Sequence, residues 1–316
     1  MVRTKLPVAS LIAALVLVGS ACEGTGGDAS PCGGEAAAPQ LTGRFVYNTP
    51  DGDLWVMDAD GSDCRQLTRS GDGLDYNPTW SADGRQIGFR TTRGESPPGV
   101  DPSDIFVVNA DGSGERELTT FENSQSGLFP AWSPDGELIA FSGSGGINLI
   151  RPDGTLRRRI GLEGDECSVW SPDSVKLLVC SNALNRGEGA DNWDIFVMDA
   201  DGSDRRRLTS HPQNDYPGAW SPDGRRIVFG RGCGGGGDCD LYVMNADGSG
   251  VRQLTDDPGA ESANAWLPDG RLLVGIWAPG QEGPPAWVLM DSDGGRRREL
   301  PQLAQAMDPV DYLPQP

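Results

Sequence analysis

The 316-residue sequence predicts an all-β fold, a ring of like four-stranded antiparallel modules. Three observations lead there. The phrase Trp132-Ser133-Pro134-Asp135-Gly136 recurs at residues 80–84, 170–174, 220–224 and 266–270. A second phrase, Asp194-Ile195-Phe196-Val197-Met198-Asp199, recurs at residues 53–58, 104–109, 146–151, 240–245 and 286–291, at spacings of 42–51 residues. That period is close to the roughly 40–45 residues of a four-stranded propeller blade. Beyond the leader, no stretch shows convincing helical periodicity.

In chain order, residues 1–21 read as an export signal. Arg3 and Lys5 form a short basic region, and residues 6–18 are mainly apolar but too short to span a membrane. The small residues Gly19, Ser20 and Ala21 before Cys22 resemble a bacterial lipoprotein signal, which implies that Cys22 is lipidated and becomes the mature N-terminus. Ordinary cleavage after Ala21 is the alternative. Residues 22–40 are mainly Gly, Ala, Ser, Pro and acidic residues, expected as a flexible tether. Residues 41–316 are the expected propeller.

Within each module the Ile-Phe-Val-Met run is apolar at successive positions. Both of its faces must be covered, as they are between neighbouring blades. Asp-Ala-Asp-Gly-Ser then breaks the strand, because Asp tolerates turn geometry and Gly supplies positive φ. The chain returns as a polar outer strand, expected at residues 65–68, 115–119, 205–209 and 252–255. In Trp-Ser-Pro-Asp-Gly, Pro suits the second turn position, and Trp ends the innermost strand. Six central strands meet only five Trp copies, so the first module lacks an inner strand. Tyr312-Leu313-Pro314 matches Trp266-Leu267-Pro268 at the same 46-residue step. Residues 308–314 are therefore expected to complete the blade built from residues 43–69, closing a six-bladed ring and removing its free edge.

The cysteines agree with export. There are seven, an odd number, and removing Cys22 leaves six. Cys233 and Cys239 flank one hairpin loop, and Cys167 and Cys180 lie on neighbouring strands, which pairs each couple. Cys32 with Cys64 follows by elimination. No Cys-x-x-Cys pair occurs and His211 is the only histidine, so a zinc site is poorly supplied.

At the two recurring phrases the sequence resembles the TolB-like propeller family, over about residues 41–314. The resemblance implies the propeller and an extracytoplasmic envelope location. It does not imply the Tol partnership, because TolB carries an N-terminal domain that the short tether cannot supply, and propellers host unrelated activities.

Net charge is −20, which disfavours nucleic acid and suits cations or basic protein patches. The turns within the two phrases lie on one regular rim. Longer connections at residues 91–103, 182–192, 230–238 and 278–285 lie on the other, where binding is expected. Five residues before each inner-strand aromatic stand Asp75, Gly127, Asp165, Asp215, Glu261 and Met307, with Asp308 one place later. Asp75, Tyr76, Asp165, Asp215, Tyr216, Glu261 and Asp308 are thus the candidate channel-mouth residues. Calcium is a candidate ligand of Asp75, Asp165, Asp215 and Glu261, set against the plainer reading of solvated acids. No other cofactor is expected. The Asp-Ala-Asp-Gly-Ser copies lack the EF-hand ligand spacing and read as turns. A Ser-His-Asp triad would have to use His211, and no Gly-x-Ser-x-Gly elbow is present. Related propeller lyases use several metal-binding histidines, absent here.

The expected function is a non-catalytic, lipid-anchored scaffold of a bacterial envelope, monomeric, that binds an envelope protein or peptide. Two alternatives stand beside it: a small-ligand, glycan or calcium sensor, and a carboxylate-based hydrolase or lyase.

Overall fold

The computed structural model describes residues 41–71, 73–93, 103–119, 128–143, 145–155, 157–183, 192–233 and 238–315. The export signal, the tether, Cys22, Cys32 and Gly127 lie outside the described residues.

Six four-stranded antiparallel sheets form the six blades of a β-propeller. Blade 1 runs Asp311–Pro314, Gly43–Asn48, Leu54–Asp58 and Arg65–Gln66 from the centre outward. Blade 2 runs Asp75–Trp80, Gln86–Thr91, Asp104–Asn109 and Arg116–Glu117. Blades 3 to 6 repeat the plan with innermost strands Leu128–Trp132, Asp165–Trp170, Asp215–Trp220 and Ala260–Trp266.

The recurring phrases explain why these strands form. The third strand of blade 4, Asp194–Asp199, is buried at every position but its last. Its faces meet hydrophobic layers on both sides, since Phe196 and Met198 join the layer shared with blade 3 while Ile195 and Val197 join that shared with blade 5. Each inner-strand Trp packs against the preceding blade: Trp80 against Val46 and Leu54, Trp132 against Ile105 and Val107, Trp220 against Leu178 and Val197. The Ser of Trp-Ser-Pro-Asp-Gly fastens the turn after the Trp. Ser133 Oγ donates to Asp135 Oδ1 at 2.6 Å and accepts the Leu138 N–H at 3.0 Å. Ser81, Ser171 and Ser221 repeat both bonds. Blade 6 has Leu267 instead, which is buried in the layer shared with blade 1.

The outer strands are shorter than expected. Residues 65–68, 115–119, 205–209 and 252–255 contribute only Arg65–Gln66, Arg116–Glu117, Arg206–Arg207 and Arg252–Gln253 to the ladder. Beyond each pair the chain turns so that a threonine hydroxyl replaces a ladder carbonyl. Thr68, Thr119, Thr209 and Thr255 Oγ1 accept the N–H of Leu54, Ile105, Ile195 and Leu241 at 2.9–3.0 Å. The buried N–H at the start of each third strand is thereby satisfied.

The ring closes as expected, with a shorter regular strand. Asp311–Pro314 pairs with the Gly43–Asn48 strand, placing Tyr312 opposite Phe45; residues 308–310 precede it as irregular chain. Two expected disulfides are present, Cys167–Cys180 and Cys233–Cys239. Cys64 is disulfide-bonded.

Candidate functional site

Every inner strand starts at the irregular rim, so the aligned acids lie there, but closed off rather than open to the channel. Asp75, Asp165 and Asp215 are at most 1% exposed, and Glu261 is 4% exposed. Each is held by an arginine of its own blade. Arg93 Nε lies 2.9 Å from Asp75, and its guanidinium also reaches Glu115 at 2.8 Å. Arg205 reaches Asp165 at 2.7 Å while lying 3.8 Å over the Phe196 ring. Arg231 binds both oxygens of Asp215, at 2.7 and 2.9 Å. Glu261 accepts from the Thr255 hydroxyl and has Arg297 at 3.5 Å. Burial raises the Asp75 and Glu261 carboxyls above their ordinary values, and these partners act against the rise. An open ring of carboxylates is therefore corrected to four separate acid–arginine clamps inside the blades. No group of three or more His, Cys, Asp or Glu side chains placed to hold a metal occurs among the described residues, so the calcium expectation for Asp75, Asp165, Asp215 and Glu261 finds no ligand set there. Tyr76 lies under the Arg90 guanidinium, 4.5 Å from ring centre to carbon.

Two cavities adjoin, a central one that reaches the regular rim at Ser81, Ser133 and Pro134 and a side one at the irregular rim. The central one, about 560 Å³, is lined by all six inner strands, through Asn77, Phe129, Ser168, Pro217, Asn264 and Tyr312 among others. The second, about 480 Å³, lies between blades 5 and 6. Its walls include Tyr216, the Cys233–Cys239 disulfide, Trp277 and the loop residues Pro279, Gln281 and Glu282. Asp308 borders both cavities. Of the candidate residues, then, Tyr216, Glu261 and Asp308 come together at the side cavity, while Asp75, Tyr76, Asp165 and Asp215 line neither.

Asp308 differs from the clamped acids. It accepts from Asn264 Nδ2 at 2.6 Å and from the Ser262 hydroxyl, and no cationic side chain pairs with it among the described residues. Enclosure pushes its carboxyl up to about 6, against the lowering effect of those two neutral donors. Asp311 also lines the central cavity. It accepts the Trp80 and Tyr312 N–H groups at 2.6 and 2.9 Å, and burial raises its carboxyl too. Asp311 has no counterpart in the repeats, where Thr79, Ala131, Val169, Ala219 and Ala265 hold the corresponding position, so the period does not mark it. Trp277 was legible only as the edge of an irregular connection. Its indole N–H donates to the Gly283 carbonyl at 3.0 Å, which fixes the ring against its own loop.

No protein-family model matches the chain. It is 28% identical over 159 residues to the Bacillus subtilis protein named "Uncharacterized peptidase YuxL", covering 50% of this chain and 22% of that protein. It is 30% identical over 145 residues to a "Protein TolB homolog" of Chlorobium luteolum, covering 44% of this chain and 30% of that protein. The chain thus spans less than a third of the length of either curated relative. Among solved structures, TolB from Acinetobacter baumannii superposes with a TM-score of 0.64 at 20% identity, over 86% of this chain and 67% of that one. The shared phrases, the six blades and these likenesses agree: the chain is a TolB-like six-bladed β-propeller.

Proposed function

We propose that this chain is a non-catalytic binding scaffold of the cell envelope that presents its irregular rim and channel mouth to a protein or peptide partner. In this reading a lipid on Cys22 holds the protein to the extracytoplasmic side of a bacterial membrane. The observation that carries the proposal is the side cavity at that rim, walled by Trp277 and Tyr216 on a rigid ring. Rigid scaffolds present binding loops in this way, and aromatic side chains in pockets are the usual anchors of an interface. The clamps support the non-catalytic part. Asp75, Asp165 and Asp215 are each committed to an arginine, which removes three carboxylates from any general acid–base role. The two described disulfides support an oxidising compartment. Among the described residues no helix is long and apolar enough to cross a membrane.

A photo-crosslinking residue placed in living cells at Glu282, on the irregular rim, should yield one discrete adduct. The same residue at Arg225, on the regular rim, should yield none. Equal labelling from both rims, or none from either, overturns the proposal. An alkyne-bearing fatty acid should label the wild-type protein and not Cys22→Ser.

A further inference from the structure

We infer that the side cavity between blades 5 and 6 receives an arginine side chain of the partner, its stem along Trp277 and Pro279 and its guanidinium at Asp308. The inference rests on the scaffold reading and makes one recognition element of it specific.

The argument starts from how this fold treats buried acids. In blades 2, 4, 5 and 6 the chain supplies its own arginine to the rim acid: Arg93, Arg205, Arg231 and Arg297. At the closing strand it supplies none. Asp308, half-buried where the two cavities meet, has only the Asn264 amide and the Ser262 hydroxyl, both neutral, and burial disfavours its charge. A carboxylate in this state gains most from a cation brought from outside. The cavity beside it is shaped for one. No Arg or Lys lines either cavity among the described residues, while Asp238 and Glu282 stand exposed at the side cavity with Asp308. The intervening wall is small and apolar, with Pro217, Gly218 and Ala263. Those residues leave room for a methylene stem.

Guanidinium is favoured over ammonium for two reasons. It is planar and weakly hydrated, so it loses less on leaving water and can lie against an indole. The chain already uses this pairing internally, with Arg44 over Trp80 at 4.6 Å and Arg226 over Trp266 at 4.7 Å. The Trp277 ring is held by its own loop, so it would be ordered before binding rather than at the expense of binding. Net charge of −20 also favours approach of a basic segment.

The test uses the peptide acetyl-Gly-Arg-Gly-amide, titrated into the mature protein with the Trp277 indole N–H followed by NMR. The arginine peptide should shift that signal saturably. Its citrulline counterpart, which keeps the shape without the charge, should bind at least about tenfold more weakly, the loss expected of a charge-assisted hydrogen bond. The lysine counterpart should fall between them. Asp308→Asn should reduce arginine binding to the citrulline level, and Glu282→Gln should weaken it less. Because Asp308 also joins the closing strand, each variant is checked for an intact melting transition, and Trp277→Leu, read by the other indole signals, serves as the second variant away from that strand. Equal binding of the arginine and citrulline peptides overturns the inference, as does no binding of either. Rim crosslinks at Glu282 without arginine binding reject this inference alone. Arginine binding without any rim crosslink in cells rejects the scaffold reading and leaves the pocket.

Discussion

A carboxylate enclosed by protein must be paired, hydrogen-bonded or protonated, and the residues of this chain show the contrast directly. Asp165 has a completely enclosed side chain, and Arg205 covers it while donating also to Ser181 at 3.0 Å. Replacing Arg205 by Met keeps most of the stem over Phe196 but leaves the acid uncompensated. Urea unfolding of Arg205→Met should show a loss of about 3–5 kcal/mol, the usual consequence of removing one partner of a buried pair. The double variant Asp165→Asn, Arg205→Met should recover most of that loss. If the single and double variants are equally destabilised, the pair is not the unit that matters. Asp308 behaves in the opposite sense. Its folded-state value, about 6, lies above the ordinary 3.8, so the folded protein holds this proton more tightly than the unfolded chain. The stability from this group is full below the ordinary value and is lost as pH rises toward and through the folded value. Asp308→Asn removes the penalty of ionisation. It should match wild type near pH 4 and exceed it above about pH 6.5, by at most about 3 kcal/mol in urea unfolding. An advantage independent of pH would point to packing instead. A substitution that stabilises the fold and abolishes arginine binding would mark Asp308 as a residue retained for its ligand.

At the scale of the strand, the parts legible in the sequence were those with a fixed period. The Trp-Ser-Pro-Asp-Gly turns fall at the ends of the innermost strands, and the Asp-Ala-Asp-Gly-Ser turns follow the third strands. Asp111 shows why the second phrase is a turn: its carboxylate accepts both the N–H and the hydroxyl of Ser113, at 2.9 and 2.6 Å. The outer strands were overextended because a Leu-Thr ending looks like strand by propensity, whereas the threonine serves through its hydroxyl. Thr209→Val keeps the shape and leaves the Ile195 N–H without that acceptor. It should cost about 1–3 kcal/mol and speed amide exchange at Ile195 relative to Val197. Unchanged exchange would show that the Leu208–Thr209 backbone alone suffices. The acids were legible as an alignment, but their covering arginines were not. Arg93 follows a second strand, Arg231 ends one, Arg205 precedes a fourth strand and Arg297 begins one. No single spacing joins acid to base, so only the folded blade reveals that the acids are closed. The side cavity was hidden for a related reason: Tyr216, Trp277 and Asp308 come from three separate parts of the chain.

At the scale of the molecule, the ring depends on one short strand that joins its two ends. Asp311–Pro314 supplies the inner edge of blade 1, and its contacts reach three blades. Tyr312 packs on Phe45 with ring centres 5.4 Å apart and donates to the Thr42 carbonyl at 2.5 Å. Asp311 receives the Trp80 N–H of blade 2, and Leu313 packs into the layer between blades 1 and 2. On the other side, Asn264 of blade 6 donates to Asp308 and accepts the Val310 N–H at 2.9 Å, while Val310 is buried in the layer shared by blades 6 and 1. Deleting residues 308–316 removes all of these at once. Burial of Val310 and Tyr312 contributes about 1.5–3 kcal/mol each, and several hydrogen bonds contribute about 1 kcal/mol each. That sum is comparable to the whole stability of an ordinary domain, about 5–15 kcal/mol. The truncated chain should therefore melt far below the full chain or lose its cooperative transition, and its opened blade 1 edge should promote association. Truncation after Pro314 keeps the strand and should leave the melting curve nearly unchanged. A synthetic peptide of residues 306–316 added to the shorter chain should restore the transition in proportion to its concentration, because it binds only the folded ring. If the chain lacking residues 308–316 melts like the full chain, the ring is held by its inter-blade layers alone and the closing strand is dispensable.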